Sequence, residues 1–191
     1  MEIETAKLIL PVIRGRDHIQ GPDTAPVTLV ENGDYECPFC GQAYYIIKEV
    51  QELLGTNLRF VFRNFPLTQV HPNAQNAAEA AESAGAQNMF WEMHDCLYEH
   101  QQAPGVKHLV QYATTLGLDL PKFLYDFSNH VHSARIREDF LSGVRSGVNG
   151  TPTFFVNGLR YNQSWDLETL LDNLRRIISK TPKITNNERI S

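Results

Sequence analysis

The order of hydrophobic patterns along the chain restricts its fold more than any other feature. The aliphatic run Val27–Val30 predicts a strand, and apolar residues at spacings of three and four from Ala43 predict a helix that stops at Gly55. Residues 58–65 predict a second strand. A strand, a helix and a strand in close succession form a βαβ unit, which favours parallel pairing through a right-handed crossover.

The stretch from residue 72 to residue 146 carries only helical patterns. Strand character returns at Thr153–Val156, where Asn157-Gly158 is a strong signal for a tight hairpin with Leu159–Tyr161. A last amphipathic pattern predicts a helix over residues 166–179. The chain therefore predicts an α/β protein in which a helical insertion separates the two halves of one small sheet.

Composition and charge narrow the class of protein. The 191 residues carry a net charge of -5, which argues against a nucleic-acid partner because phosphates need a basic surface. The apolar run Leu8–Ile13 is too short for a membrane span or a leader peptide, and Glu2 and Glu4 precede it where a leader would be basic. We expect a cytoplasmic protein with no membrane span, and a short strand near Leu8–Ile13.

Two of the three cysteines are spaced for shared chemistry. Cys37 lies where a loop meets the first predicted helix, Pro38 suits the first helical position, and Cys40 follows one turn later on the same face. This spacing allows a disulfide between the two sulfurs. The positive end of the helix dipole favours a Cys37 thiolate, which is the attacking species in disulfide exchange. Cys40 lies deeper and would resolve a mixed disulfide.

Two other interpretations of this pair stay open. Cys37 and Cys40 could form half of a zinc site, although the chain has no second CxxC motif and such a site needs about four ligands. They could also be two structural cysteines without chemistry. The third cysteine, Cys96, lies alone in a helical pattern, where a small buried hydrophobe is the usual role.

The sequence resembles the DsbA-like thioredoxin-fold oxidoreductases. The resemblance rests on Glu31–Cys40, which ends in CPFC, on the GTPTF segment at residues 150–154, and on the helical block between them. It implies a thioredoxin-like fold (βαβ plus ββα) built from residues 1–66 and 147–180. Residues 67–146 would be the inserted all-helical domain and residues 181–191 a flexible tail. The segments RNFPL (63–67) and FWEMH (90–94) resemble the cytoplasmic and antiporter-fused branches of the family.

The resemblance also implies roles for individual residues. Cys37 resembles the nucleophile, Cys40 the resolving cysteine, and Glu31 a buried acid that moves protons at the dithiol. An acid at the end of an apolar strand would have a raised pKa. We expect the other two acids of this segment, Asp34 and Glu36, to be solvated.

Residues 151 and 152 resemble the loop that faces the dithiol in this family. Pro152 matches a cis-proline and Thr151 would offer backbone groups to an extended substrate segment. Pro38 and Phe39 would complete the substrate-binding surface. Phe39 stands where strongly oxidising members have a histidine that stabilises the thiolate, so the resemblance implies a less oxidising dithiol here.

The predicted function is disulfide exchange with protein substrates through a mixed disulfide on Cys37, with no metal and no organic cofactor. Glutathione or a thioredoxin-type protein would be the reductant. Two alternatives stay open: a glutathione-dependent reductase or transferase, and a redox-sensing module that binds a partner. The sequence leaves the direction of electron flow undetermined.

Overall fold

A computed structural model describes residues 6–181 of the chain. Within them five strands form one mixed sheet in the order β1-β3-β2-β4-β5. Strands β2 and β3 are parallel and the other neighbours are antiparallel. The strands are β1 (His18–Gln20), β2 (Val27–Gly33), β3 (Leu58–Asn64), β4 (Thr153–Val156) and β5 (Leu159–Arg160).

Seven α-helices accompany the sheet in this part of the chain. They are α1 (Pro38–Leu54), α2 (Ala74–Gly85), α3 (Phe90–Glu99), α4 (Val106–Thr115), α5 (Leu120–Ser128), α6 (Ser133–Arg145) and α7 (Leu167–Lys180). Helices α2 to α6 follow one another between β3 and β4. The predicted fold class is confirmed: a βαβ unit, a helical insertion and a ββα unit. The exact domain boundaries given above stay a prediction.

The central strand β2 is buried at every residue and divides the core into two sides. Successive side chains of a strand point to opposite faces. Leu29 belongs to the larger core, which α1, α7 and the inserted helices complete. Val30 belongs to a smaller core on the other face, where Phe140 of α6 packs. Glu31 shares the face of Leu29, and this places its carboxyl on the side that α1 covers.

The N-terminal segment differs from its prediction. No strand forms at Leu8–Ile13, and the edge strand is β1, ten residues after Leu8. Arg63, fully buried in β3, explains the difference: its guanidinium donates to the carbonyl oxygens of Leu10 (2.9 Å) and Pro11 (3.1 Å), and these groups therefore do not pair with a strand. Pro11 also lacks the N–H that a strand needs.

Other boundaries agree more closely with the sequence. The hairpin turn is confirmed, with positive φ at Asn157 (48°) and Gly158 (82°), as a tight turn between antiparallel strands requires. Strand β2 runs to Gly33, three residues past its predicted end. The predicted flexible tail lies outside the described residues except for Thr181. In the described range, each helix is too short or too polar to cross a membrane.

Candidate active site at the start of helix α1

The dithiol lies at the start of α1, just after the turn that connects the central strand β2 to this helix. Cys37 is the N-cap of α1, with extended backbone angles, and Pro38 is its first residue. The Cys37 N–H donates to the Asp34 carbonyl at 3.1 Å, and the Cys37 carbonyl accepts from the Gly41 N–H at 3.1 Å. Both thiols are free. Only 3% of Cys37 and none of Cys40 is exposed, so the pair is at the surface only through the edge of Cys37.

The two thiols differ strongly in acidity. A hydrogen bond from the Cys40 thiol, followed by hydrogen bonding from Thr151 and from the backbone N–H groups of Cys40 and Phe39, lowers the pKa of Cys37 to about 5 against the opposing effect of burial. Burial, together with the Cys37 charge and Glu31, raises the pKa of Cys40 well above its usual value. At neutral pH Cys37 is a thiolate beside a protonated Cys40. This is the asymmetry that a nucleophile and a resolving thiol need.

The loop before β4 faces the nucleophile. The Thr151–Pro152 peptide bond is cis, and the Cys37 Sγ lies 3.3 Å from the Thr151 carbonyl oxygen. Thr151 and Pro152 are both partly exposed. The Thr151 hydroxyl is buried. Pro38 is exposed, and Phe39 leaves 57% of its surface exposed beside the dithiol.

Glu31 lies under the dithiol in the middle of the sheet. Its neighbours across the strands are Phe62 and Phe154, and only 2% of its surface is exposed. Its Oε1 atom has no hydrogen-bond partner among the residues that the structure describes. Burial, with a smaller effect of the Cys37 charge, raises the pKa of Glu31 from 4.5 to about 8. The carboxyl is therefore mostly protonated at neutral pH and lies close to its midpoint of titration.

A small cavity is lined in part by Glu31. Its volume is about 10 Å³, close to the least that one water molecule needs. Gln20, Gln51, Lys48 and Asp95 are among its lining residues. The Lys48 ammonium and the Asp95 carboxylate form an ion pair at 2.7 Å, and both side chains are partly exposed. The buried carboxyl is thus separated from polar surface groups by a one-water space.

Aromatic side chains enclose the same region. The Tyr35 hydroxyl and the His94 Nδ1 share a hydrogen bond at 3.1 Å, and the Tyr98 ring centroid is 5.0 Å from each of the two rings. Burial lowers the pKa of His94 to about 3, so this histidine is neutral. The inserted helix α3 therefore covers Glu31 and Cys40 with side chains that carry no charge.

The expectation that Asp34 and Glu36 are solvated is wrong. Asp34 is 1% exposed: its carboxylate accepts from the N–H groups of Leu67 and Glu36 and also bonds the His71 ring, each at 2.8 Å. The Glu36 carboxylate accepts from the backbone N–H (2.6 Å) and side chain (2.9 Å) of Asn73. Both acids fasten the active-site turn to the loop after β3.

The structure also reveals a residue that the sequence analysis missed. Gln101, in the loop between α3 and α4, donates from its amide nitrogen to the carbonyl oxygens of Tyr35 (2.9 Å) and Cys37 (2.8 Å). No local pattern marks this glutamine, since it lies far from the dithiol in sequence.

Cys96 is half-buried rather than fully buried, and its Sγ lies 3.8 Å from the His100 Nδ1.

The possible metal ligands of the described residues do not cluster. Among residues 6–181, no three or more His, Cys, Asp or Glu side chains are arranged to hold a metal ion. The structure thus brings together Cys37, Cys40, Glu31, Thr151 and Pro152, and the roles assigned to them stay predictions.

These features define a thioredoxin-fold protein with a CxxC dithiol at the start of a helix. The chain belongs to the thioredoxin family, whose model, described as "Thioredoxin", matches residues 14–176. Curated relatives are longer. The chain is 50% identical over 163 residues to Na(+)/H(+) antiporter NhaA 1 of Salinispora arenicola, a match that covers 85% of this chain and 25% of that protein. It is 40% identical over 160 residues to Na(+)/H(+) antiporter NhaA of Herminiimonas arsenicoxydans. The chain spans about a quarter of the length of these relatives.

Solved structures share the whole fold. A thioredoxin-like oxidoreductase from Silicibacter pomeroyi matches with a TM-score of 0.75 and 25% identity, over 87% of this chain and 94% of that one. BdbD from Bacillus subtilis matches with a TM-score of 0.78 and 20% identity, over 92% and 97% of the two chains. Alpha-DsbA1 from Wolbachia pipientis also gives 0.78, at 17% identity. The predicted resemblance to DsbA-like folds is confirmed.

Proposed function

We propose that this chain is a protein thiol–disulfide oxidoreductase in which Cys37 is the nucleophile and Cys40 resolves the mixed disulfide. The observation that carries the proposal is the unequal dithiol: an acidic Cys37 at the mouth of the site and a deeply buried, weakly acidic Cys40 one helical turn away. The likeness to a thioredoxin-like oxidoreductase over most of both chains supports the same class.

In the reductive direction the Cys37 thiolate attacks one sulfur of a substrate disulfide. A Cys37–substrate bond forms, and the substrate disulfide breaks with its electron pair on the departing sulfur, which takes up a proton. Cys40 then loses its proton and attacks the Cys37 sulfur. The Cys37–Cys40 disulfide forms, and the second substrate thiolate leaves. The oxidative direction runs through the same mixed disulfide in reverse. Electrons pass only between sulfur atoms, so the proposal needs no metal and no organic cofactor.

Glu31 is the proposed proton acceptor for Cys40. Cys40 must become a thiolate before it can attack, although burial strongly disfavours that form. With a pKa of about 8 Glu31 is partly ionised near neutral pH, and the ionised form can accept the proton of this thiol. The ionised fraction grows once the mixed disulfide removes the Cys37 charge, which is one cause of the raised Glu31 pKa. The small cavity beside Glu31 gives this proton a way to Lys48 and Asp95 at the surface.

Substrates are proposed to bind along the loop at Thr151–Pro152. Backbone groups of Thr151 would pair with an extended segment, as an added strand does. Exposed Pro38 and Phe39 offer apolar contact on the other side of Cys37. Phe39 cannot donate a hydrogen bond to the Cys37 sulfur, and this supports a dithiol that is less oxidising than those with a histidine at that position.

The experiment is a redox titration in glutathione buffers, with free thiols trapped and counted at each ratio. Cys37→Ser should abolish the couple. Cys40→Ser, in its thiol form, should accumulate a mixed disulfide with native, disulfide-bonded insulin as the substrate. A potential above that of the cytoplasmic glutathione pool would indicate a disulfide donor and contradict the proposed cytoplasmic location, whereas a lower one would indicate a reductase or isomerase. The absence of any reversible couple would refute the proposal.

The antiporter relatives favour a second candidate function. Proteins described as Na(+)/H(+) antiporters contain a stretch similar to this chain in about a quarter of their length. We propose as the alternative a redox-sensing module that acts on a bound partner. A reversible Cys37–Cys40 couple with no turnover of insulin disulfides would favour this module. Efficient reduction by glutathione alone, with Cys40 dispensable, would instead favour a glutathione-dependent enzyme.

A further inference from the structure

Among the described residues, Gln101 makes the only hydrogen bonds from a side chain of the inserted region to the backbone of the active-site turn. Its amide nitrogen donates both hydrogens, one to the Tyr35 carbonyl and one to the Cys37 carbonyl, at 2.9 and 2.8 Å. These carbonyls lie on either side of Glu36, and the second belongs to the nucleophile itself. One planar amide therefore fixes the orientation of two peptide groups at the point where α1 begins.

The bonded carbonyl of Cys37 is also the first acceptor of the helix, because it receives the Gly41 N–H at 3.1 Å. Its orientation and the direction of the first helical N–H groups are thus linked through the same turn. Because Cys37 is the N-cap of α1, the N–H groups of the first helical turn, which have no acceptor within the helix, lie next to it, and those of Phe39 and Cys40 contribute to its lowered pKa. A glutamine that fixes this carbonyl also fixes the donors that face the thiolate.

The residue at position 41 is matched to this contact. A Cβ added to Gly41 would lie 2.3 Å from the Gln101 Oε1, which is too close for two atoms that are not bonded to each other. The amide plane lies directly against the Gly41 Cα, and only glycine leaves room for it. Glycine inside a helix is otherwise unfavourable, so its presence here is explained by the glutamine.

We propose that Gln101 is a positioning residue that holds the Tyr35–Cys37 turn in place and thereby keeps the backbone donors of α1 directed at the Cys37 sulfur. The inserted helices thus tune the reactivity of the dithiol, although they contribute no atom to it. Whether this positioning affects turnover rests on the proposed function. The thiolate itself can be measured whether or not the chain turns over substrates.

Two substitutions at Gln101 and one next to it test the inference. Gln101→Met keeps the length and removes the donors. Gln101→Glu places a carboxylate against the two carbonyl oxygens. Gln102→Met is the matched control, because the Gln102 side chain is exposed and makes no hydrogen bond with any other of residues 6–181. The readout is the rate at which iodoacetamide alkylates Cys37 as a function of pH, followed by mass spectrometry to separate Cys37 from Cys96.

With the donors removed, the Cys37 pKa should rise, and the alkylation rate near pH 5 should fall by roughly two- to tenfold, the range expected for the loss of one or two hydrogen bonds. The rate at high pH should not fall and should rise slightly, because a fully ionised thiolate of higher pKa is a somewhat stronger nucleophile. Gln101→Glu should give the larger shift and Gln102→Met none. The dithiol of both Gln101 variants should also become less oxidising against glutathione by a similar factor, since its reduced thiolate form is less stabilised.

Gly41→Ala provides an independent variant. In the wild-type chain its methyl group should displace the Gln101 amide and reproduce the shift of Gln101→Met. Added to Gln101→Met, it should have no further effect on the Cys37 pKa. An unchanged pH profile in Gln101→Met, or additive shifts in the double variant, would overturn the inference. A wild-type Cys37 with an ordinary thiol pKa would count against the proposed function, and the comparison among variants would still decide the role of Gln101.

Discussion

Glu31 should make the stability of the folded protein depend strongly on pH, in a direction opposite to that of most carboxylates. The perturbation that isolates this effect is Glu31→Gln, which keeps the size of the side chain and resembles the protonated acid. In the unfolded chain the carboxyl titrates near 4.5, whereas burial raises its pKa in the folded protein to about 8. Between these values the unfolded state binds fewer protons than the folded state, so stability falls as the pH rises.

The magnitude follows from the two pKa values. At about pH 7 the folded carboxyl is still mostly protonated, and the unfolded one has lost its proton over about 2.5 pH units. Each unit contributes about 1.4 kcal/mol, so the cost to the wild-type protein is about 3 kcal/mol. The cost should be almost absent at about pH 4 and should level off above about pH 8. Glu31→Gln should therefore gain about 3 kcal/mol over the wild type between pH 4 and pH 7.

The assay is urea unfolding of the reduced proteins at several pH values, followed by far-UV circular dichroism. The pH-dependent part of the difference between variant and wild type is the informative quantity, because contributions of groups that do not interact with Glu31 cancel in it. Glu49→Gln, at an exposed position of α1, is the matched control and should show no such trend. A difference that stays constant from pH 4 to pH 8, or that shrinks as the pH rises, would refute the argument that Glu31 is kept neutral by burial.

Three further predictions concern other buried groups. Cys40→Ala should raise the pKa of Cys37, because the Cys40 thiol is the largest of the influences that lower it, and the pH profile of Cys37 alkylation would show this; an unchanged profile contradicts it. Arg63→Ala should destabilise the protein by about 3–5 kcal/mol in urea unfolding. It removes a fully buried guanidinium from the Leu10 and Pro11 carbonyls and from Asp17, which among the described residues keeps only Arg16 and the Ile13 N–H as partners; a loss below about 1 kcal/mol would show that these bonds are not needed. His94, whose pKa is lowered to about 3, should make the protein less stable as the pH falls below about 6.5, because only the unfolded state then takes up a proton on this ring. His94→Gln should remove that part of the acid sensitivity. Equal slopes of unfolding free energy against pH in the two proteins would contradict this.

Local signals determined the parts of the structure that depend on neighbours in sequence. The Cys37-Pro38 pair at a helix start, the Asn157-Gly158 turn and the periodicity of α1 all follow from residues within a few positions of one another. Their conformations are set by backbone sterics, capping and amphipathic spacing, which a sequence displays directly. The order of these signals was enough to predict the fold class.

The edge strand β1 and the irregular N-terminal segment could not be predicted from local sequence patterns. Strand β1 has only three residues, each half-buried, and pairs with β3 at the sheet edge. It carries no alternating pattern, whereas the apolar run at Leu8–Ile13 looked more strand-like and is not a strand. Arg63 explains the difference, because its buried guanidinium donates hydrogen bonds to the carbonyl oxygens of Leu10 and Pro11. A sequence gives no sign of which carbonyls a distant arginine will bind.

The chemistry of the site divides in the same way. The sequence by itself determined that Cys37 and Cys40 share one face at a helix start, and the resemblance pointed to Glu31, Thr151 and Pro152. Only the tertiary structure decided how these groups behave, because acidity depends on burial and on partners that fold in from far along the chain. The 3.3 Å approach of Thr151 to Cys37 spans 114 positions, and the bonds of Gln101 to the turn span 64 and 66. Such contacts arise from packing of the insertion and the sheet, and no spacing rule within a single segment encodes them.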